Sequence, residues 1–381
     1  MRSSPCAVLV VGVLSLSWSC QKKPPAPPVR DLSVAEVSRF VRSDVDDKRG
    51  WAADLRLALK SARLPVDAEH VCQVLAIVEQ ESGYEADPAV PGLGRVVQGE
   101  LDRMFEKLGP VASTARAALL DHRAPGRDRT FEQRLSQIRT EQDADLLYRE
   151  IVAFHRSRHP TLGRAMDLLA PDLVEQTNPI TTAGSMQVSV SWSLDQAEND
   201  DSDLLRDVLY TRAGGLQYGT ARLFAHDAPY DSPRYRFADY NAGFFASRNA
   251  ALQAQLTAVT GRPLATDGDF LLYDKNGEAR WKRSNTLNAL LVFRAEHASH
   301  LSESRVRRDA AREKSAAFDD TQTIRALRST YEQQTGTPPQ YAVVPDVALH
   351  SPKMKSGRST RWFTDNVMIR YSDCLGRSAG K

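Results

Sequence analysis

A mainly α-helical fold is predicted by three features of the sequence. Apolar residues recur at helical spacing through most of the chain, cap residues stand at the ends of those segments, and strand-like patterning is confined to short stretches. The segment 66–82 (VDAEHVCQVLAIVEQES) is the most periodic: Val71, Val74, Val78 and Glu81 fall at spacings 0, 3, 7 and 10, one stripe of a helix. Asp67 can cap its start and Gly83 can end it. Ahead of it, residues 31–63 read as a small helical entry unit, with Ser33 and Glu36 at the spacing of a capping box. Residues 95–175 hold further amphipathic helices (RVVQGELDRMFEKL, TFEQRLSQI, DADLLYREIVAF). Residues 179–193 are richer in Thr, Ser and Val, and a polar run at 198–203 precedes a helix over 204–225. Pro229, Ser232 and Pro233 mark a loop before a helix from Phe237. Residues 270–281 are the best candidate for a β-hairpin. Residues 285–335 return to helix, and 336–381, rich in Pro, Ser and Arg, read as an irregular tail.

Composition narrows the function. The 381 residues are 41% hydrophobic and 26% charged, as in ordinary globular proteins. Lys and Arg number 50 against 48 Asp and Glu, a net charge of +2. That balance lacks the basic excess used to bind phosphate backbones, so nucleic acid is not an expected partner.

The N-terminus reads as an address. Arg2 precedes the apolar run 6–16, much shorter than the roughly 20 residues needed to cross a bilayer, as in a signal peptide. After it come Ser19, Cys20 and a Pro-rich spacer over 21–30, which should be stiff and extended. This order resembles a bacterial lipoprotein leader, ending at residue 20 with the lipid on Cys20. By that resemblance Gln21 points to the outer membrane, so the membrane is met through a lipid anchor only, in the periplasm. The other reading is a secreted protein cut nearby. Cys6 is then removed, leaving Cys72 and Cys374 in an oxidising compartment. There they either pair or leave Cys72 as a buried thiol on its helix.

Glu81 stands out chemically because its carboxylate shares a stripe with three valines and lies in the last helical turn. Lost hydration and the negative end of the helix dipole both favour its protonated form, which suits a general acid near neutral pH. A glutamate reaching out to solvent from a frayed helix end is the plain structural alternative. His155/His159 and His297/His300 have helix-compatible spacing for a metal, but no glutamate sits between them as in a zinc-protease helix. Chance surface pairs are the better reading, and no metal or cofactor is expected.

Three segments in order carry a resemblance: Glu81-Ser82-Gly83-Tyr84, then Gly184-Ser185-Met186-Gln187-Val188, then Ala238-Asp239-Tyr240-Asn241-Ala242-Gly243. A Gly-rich helical stretch, 213–219, lies between the second and third. The set resembles the Glu-Ser, Gly-Leu-Met-Gln and Ala-Tyr-Asn-Ala-Gly signatures of lytic transglycosylases, relatives of goose-type lysozyme. It also resembles a bacterial lipoprotein family defined only as a domain of unknown function and related to those enzymes. The match covers residues 66–94 and 178–250, under a third of the chain. In the family a short loop joins the first two motifs, whereas 106 positions separate Glu81 from Gln187 here. The implied architecture is a lysozyme-like domain over 31–284, with a helical insertion at about 95–177 and a C-terminal extension over 285–381.

The resemblance implies cleavage of the β-1,4 bond between N-acetylmuramic acid and N-acetylglucosamine in peptidoglycan strands. Glu81 acts first as acid and then as base while the muramoyl 6-hydroxyl closes a 1,6-anhydro ring. Tyr240 orients Glu81 through a hydrogen bond, and Asn241 supports that turn. Ser82, Met186 and Gln187 belong to the sugar-binding set, although core packing is an equal reading for Met186. A single acid suffices because the substrate supplies the groups for which two-carboxylate glycosidases need a second Asp or Glu. Glu79, Glu85 and Asp87 read as solvated charges. The alternatives are a non-catalytic peptidoglycan-binding scaffold and a lysozyme-type hydrolase.

Overall fold

The structure is a computed structural model that describes residues 30–161, 175, 177–198, 201–273, 279–280, 284–348 and 357–379. The expected leader, Cys20 and most of the Pro-rich spacer lie outside the described residues. The chain is mainly α-helical.

The central element is α3 (Ala68–Glu81). It starts where the Asp67 carboxylate accepts from the His70 amide at 2.9 Å. It ends where the amides of Ser82 and Gly83 both turn back to the Val78 carbonyl, with Gly83 at φ 62°. The stripe foreseen from the valines understates its burial: Val71, Cys72 and every residue from Val74 to Val78 are fully buried. The helix is enclosed because α2 (Lys48–Ser61), α10 (Arg212–Leu223) and α16 (Thr360–Ala379) pack around it. The entry unit holds the short α1 (Val34–Val37), where Ser33 and Glu36 form the expected capping box.

The expectation of an irregular tail over 336–381 is corrected by α16, a 20-residue helix packed on α3 and on α11 (Pro233–Ala242). Phe363, Val367, Tyr371 and Cys374 form its buried stripe, at i, i+4, i+8 and i+11. The Pro, Gly and Ser content of the segment before it hides that periodicity. Cys374 forms a disulfide with Cys72 across 302 positions, fastening α16 to the middle of α3. The C-terminus is thus part of the first core and not an appendage.

The segment expected as an insertion comprises α4 (Leu93–Glu106), α5 (Ala112–Leu120), α6 (Phe131–Leu135) and α7 (Glu141–Arg158), which share their own core around Phe131, Leu147 and Phe154. Its chain returns to the loop after Glu81: the Val90 amide donates to the Arg139 carbonyl at 2.8 Å, and Ala89 bridges Thr140. That contact sets the first turn of α7 beside the end of α3. A third cluster joins the two-residue strands β1 (Thr182–Ala183) and β2 (Val188–Ser189) to α8 (Val190–Gln196) and α9 (Ser202–Leu209).

A further core is built from α12 (Ala246–Thr260), α13 (Asn285–His297), α14 (Glu303–Ala310) and α15 (Gln322–Thr335). The boundary expected at residue 284 therefore cuts through this core, because α12 already belongs to it. The expected hairpin is present as β3 (Leu272–Tyr273) paired antiparallel with β4 (Ala279–Arg280), and its turn lies outside the described residues. No helix among the described residues is long and apolar enough to cross a membrane.

Candidate functional site

Four elements meet at the C-terminal end of α3. Glu81 is half-buried there and has its pKa pushed up to about 7. Loss of hydration is the main cause, the negative charge of Glu141 adds to it, and Arg358 and Arg370 oppose it. Among the described residues no group donates a hydrogen bond to the Glu81 carboxylate. An acid with lost hydration and no donor among the described residues is favoured in its protonated form.

The Met-Gln turn is shaped by close packing. Gly184 has φ 77°, and a Cβ there would collide with the Leu209 carbonyl. One face of α10 carries Gly215 and Gly219, and a Cβ at Gly219 would strike the Met186 side chain. Met186 is accordingly fully buried in the first core. It presents no side chain to a sugar, so packing describes it and the expected groove contact does not. Its contribution is a carbonyl: the Tyr240 hydroxyl donates to it at 2.8 Å. Tyr240 was expected to bond Glu81. It is held instead on the Met186 carbonyl, close enough to Glu81 for that carboxylate, together with burial, to push the phenol pKa up.

Gln187, half-buried with φ 51°, is fully engaged. Its Oε1 accepts from Thr182 Oγ1 at 2.9 Å, and its Nε2 donates to Glu141 Oε2 at 2.8 Å and to the Gly184 carbonyl at 3.3 Å. Ser82 donates its hydroxyl back to the Val78 carbonyl at 3.0 Å, closing its own helix. Asn241 accepts from Thr360 Oγ1 at 3.0 Å, so it docks the first residue of α16. Of the residues expected at the site, Glu81, Tyr240 and the Met-Gln turn come together. Ser82, Met186 and Asn241 spend their described contacts on the scaffold.

Of the nearby carboxylates expected as solvated charges, Glu79 and Asp87 differ. Glu79 is ion-paired with Arg377 of α16 at 3.2 Å, and Asp87 accepts from the Gln142 amide at 3.3 Å, with its pKa raised by burial. Glu85 is exposed.

Sequence reasoning missed Glu141, Asp239, Arg358 and Arg370. Glu141, only 4% exposed, sits in the first turn of α7, where the helix dipole favours a carboxylate. Thr140 before it is the N-cap, a legible signal of where the helix starts but not of what it faces. Asp239, fully buried, braces the turn that carries Tyr240. It accepts from Tyr230 Oη at 2.6 Å and from the Ser247 amide at 2.7 Å, and it meets His226 Nε2 at 2.9 Å. Among the described residues no cluster of His, Cys, Asp or Glu could hold a metal ion.

Fold and site together define a mainly helical chain with a half-buried carboxyl group of raised pKa at the end of α3, near α7 and α16. The chain belongs to the family described as a protein of unknown function, DUF1615, which matches residues 44–377. It is 31% identical over 381 residues to the uncharacterized protein YaiW of Escherichia coli K12, covering 98% of this chain and 99% of that protein. No solved structure matches it.

Proposed function

We propose that the protein cleaves peptidoglycan strands by the lytic transglycosylase reaction. The observation that carries this reading is Glu81: a half-buried carboxyl group with a pKa near 7, beside a tyrosine hydroxyl tied to the Met-Gln turn. In its acid form Glu81 protonates the glycosidic oxygen, and the bond from that oxygen to the muramoyl anomeric carbon breaks. The muramoyl 6-hydroxyl forms the new bond to that carbon and gives its proton to the Glu81 carboxylate, which restores the acid. Tyr240 keeps the Met-Gln turn in place through the Met186 carbonyl, and Gln187 holds Glu141 at a fixed position near the acid. A lysozyme-like core and attachment to the outer membrane through a lipid on Cys20 belong to the same proposal.

Glu141 supports a second reading. A carboxylate near the acid, brought in by the insertion, could direct a water to the anomeric carbon and make the reaction a hydrolysis. Its bond to Gln187 and its deep burial favour a fixed electrostatic role instead.

Digestion of purified murein by the leader-free chain and by a Glu81→Gln variant, with products identified by mass, tests the proposal. Anhydro-muropeptides from the wild type and none from the variant are expected. Reducing-end products would transfer the reaction to hydrolysis, and binding without products would leave a scaffold.

A further inference from the structure

A cavity of about 690 Å³ opens on the side of α10 opposite the Met-Gln turn. While Gly215 and Gly219 face that turn, Gln217, Tyr218 and Ala221 line the cavity, with Trp192 and Gln196 of α8 and, at the start of α9, its N-cap Asp201 and Leu204. Behind the cavity's Trp192 wall lies Arg222. Its guanidinium lies 3.7 Å from the centre of the Phe244 ring and 5.6 Å from that of Trp192, and it interacts electrostatically with Tyr240. Arg222 Nη1 is buried with no acceptor among the described residues.

We infer that this cavity is a glycan-holding site for neutral N-acetylhexosamine units, separate from the point of cleavage and reached from it across Phe244 and Trp192. The inference rests on the glycan-cleaving reading above.

The lining matches the chemistry of that ligand. A pyranose ring has an apolar C–H face suited to half-buried Trp192 and Tyr218, and equatorial hydroxyls suited to the exposed amides of Gln196 and Gln217. The acetamido group needs a donor for its carbonyl and apolar contact for its methyl. The side-chain amides of Gln196 and Gln217 offer the first, and Leu204 and Val208, 50% and 36% exposed, offer the second. The carboxylates of Glu198 and Asp201 on the same wall disfavour an anionic sugar, which selects N-acetylglucosamine over a muramoyl unit with a free carboxylate. The volume lies within the range of small-molecule sites and leaves room for more than a single ring.

The test is calorimetric titration of the leader-free chain, in wild-type, Glu81→Gln, Trp192→Ala and Gln217→Ala forms, with the tetramer of β-1,4-linked N-acetylglucosamine. Saturable binding is expected in the wild type and in Glu81→Gln. The Kd should rise at least ten-fold in Trp192→Ala and several-fold in Gln217→Ala, an exposed position where folding is not at stake. Absence of binding, binding indifferent to both cavity substitutions, or displacement of the sugar by a lysine-rich peptide would overturn the inference. The two proposals fail separately. Sugar binding at Trp192 with murein left intact would sink the cleavage reading alone, and murein cleavage with no sugar binding would sink the cavity alone.

Discussion

Two glutamates lie in environments that both raise their pKa, and they are wired in opposite ways. Glu313, fully buried beside the core of α12–α15, accepts from the Phe270 amide at 2.6 Å, the Leu271 amide at 2.8 Å, Tyr273 Oη at 2.7 Å and Asn249 Nδ2 at 3.3 Å. Burial pushes its pKa up, while these donors and Lys314 pull against the shift. Glu81 has no donor among the described residues and faces a second carboxylate, Glu141. A carboxyl group ringed by donors is a clamp, here closing the chain at 270–273 onto its core. One deprived of them and left half-exposed keeps its proton where a substrate can take it. Burial alone therefore does not separate the two; the donors around each carboxyl group do.

Exchanging the functional groups should separate the two. Replacing Glu81 with Gln should lower murein cleavage by about 10²–10⁴-fold, read from muropeptide release. The same variant should be more stable than the wild type above neutral pH. The folded protein holds the Glu81 proton to about pH 7, whereas the unfolded chain releases it near 4.5, so wild-type stability falls as pH rises between those values. The difference is about 3 kcal/mol at most, measured by urea unfolding at pH 5 and pH 8. For Glu313→Gln the reverse is expected: a loss on the order of 2–3 kcal/mol of stability, because amide donors lose a charged acceptor, with cleavage retained under folding conditions.

Breaking the Cys72–Cys374 link by substitution to Ser should cost about 2–4 kcal/mol in a denaturant series, since it frees a very long loop. It should also loosen α16, which brings Arg370 towards Glu81. Tyr240→Phe removes the bond to the Met186 carbonyl, with an expected cost of about 1 kcal/mol in stability and a ten-fold slower cleavage. The smallest effect falls on Glu141→Gln, which removes a like charge and should move the pH midpoint of cleavage downward by less than about one unit.

Much of this arrangement is legible in the sequence where local chemistry decides it. The stripe and caps of α3, the insertion helices and the hairpin at 270–281 follow from periodicity and turn residues. Motif order singles out Glu81 and Tyr240, but the hydrogen bond expected between them is replaced by one from Tyr240 to the Met186 carbonyl. What escapes is decided by contacts between distant segments. Nothing local to Glu141 shows that α7 begins beside α3; the bridge from Ala89 to Thr140 does that. Asn241 reads as a site residue until Thr360, 119 positions away, is seen bonded to it. The stripe of α16 was present in the sequence but lay behind a breaker-rich segment whose composition dominates the window. The disulfide could be posed as an alternative from cysteine number, whereas its choice depends on α16 lying along α3.

The most direct test of a proton-holding Glu81 is the initial rate of anhydro-muropeptide release by the wild-type protein, followed from well below the ordinary glutamate pKa of 4.5 to well above neutrality. The rate should be sustained below neutrality and fall with a midpoint near 7 as Glu81 loses its proton. A fall centred near pH 4.5, the ordinary value for a solvated glutamate, would contradict it.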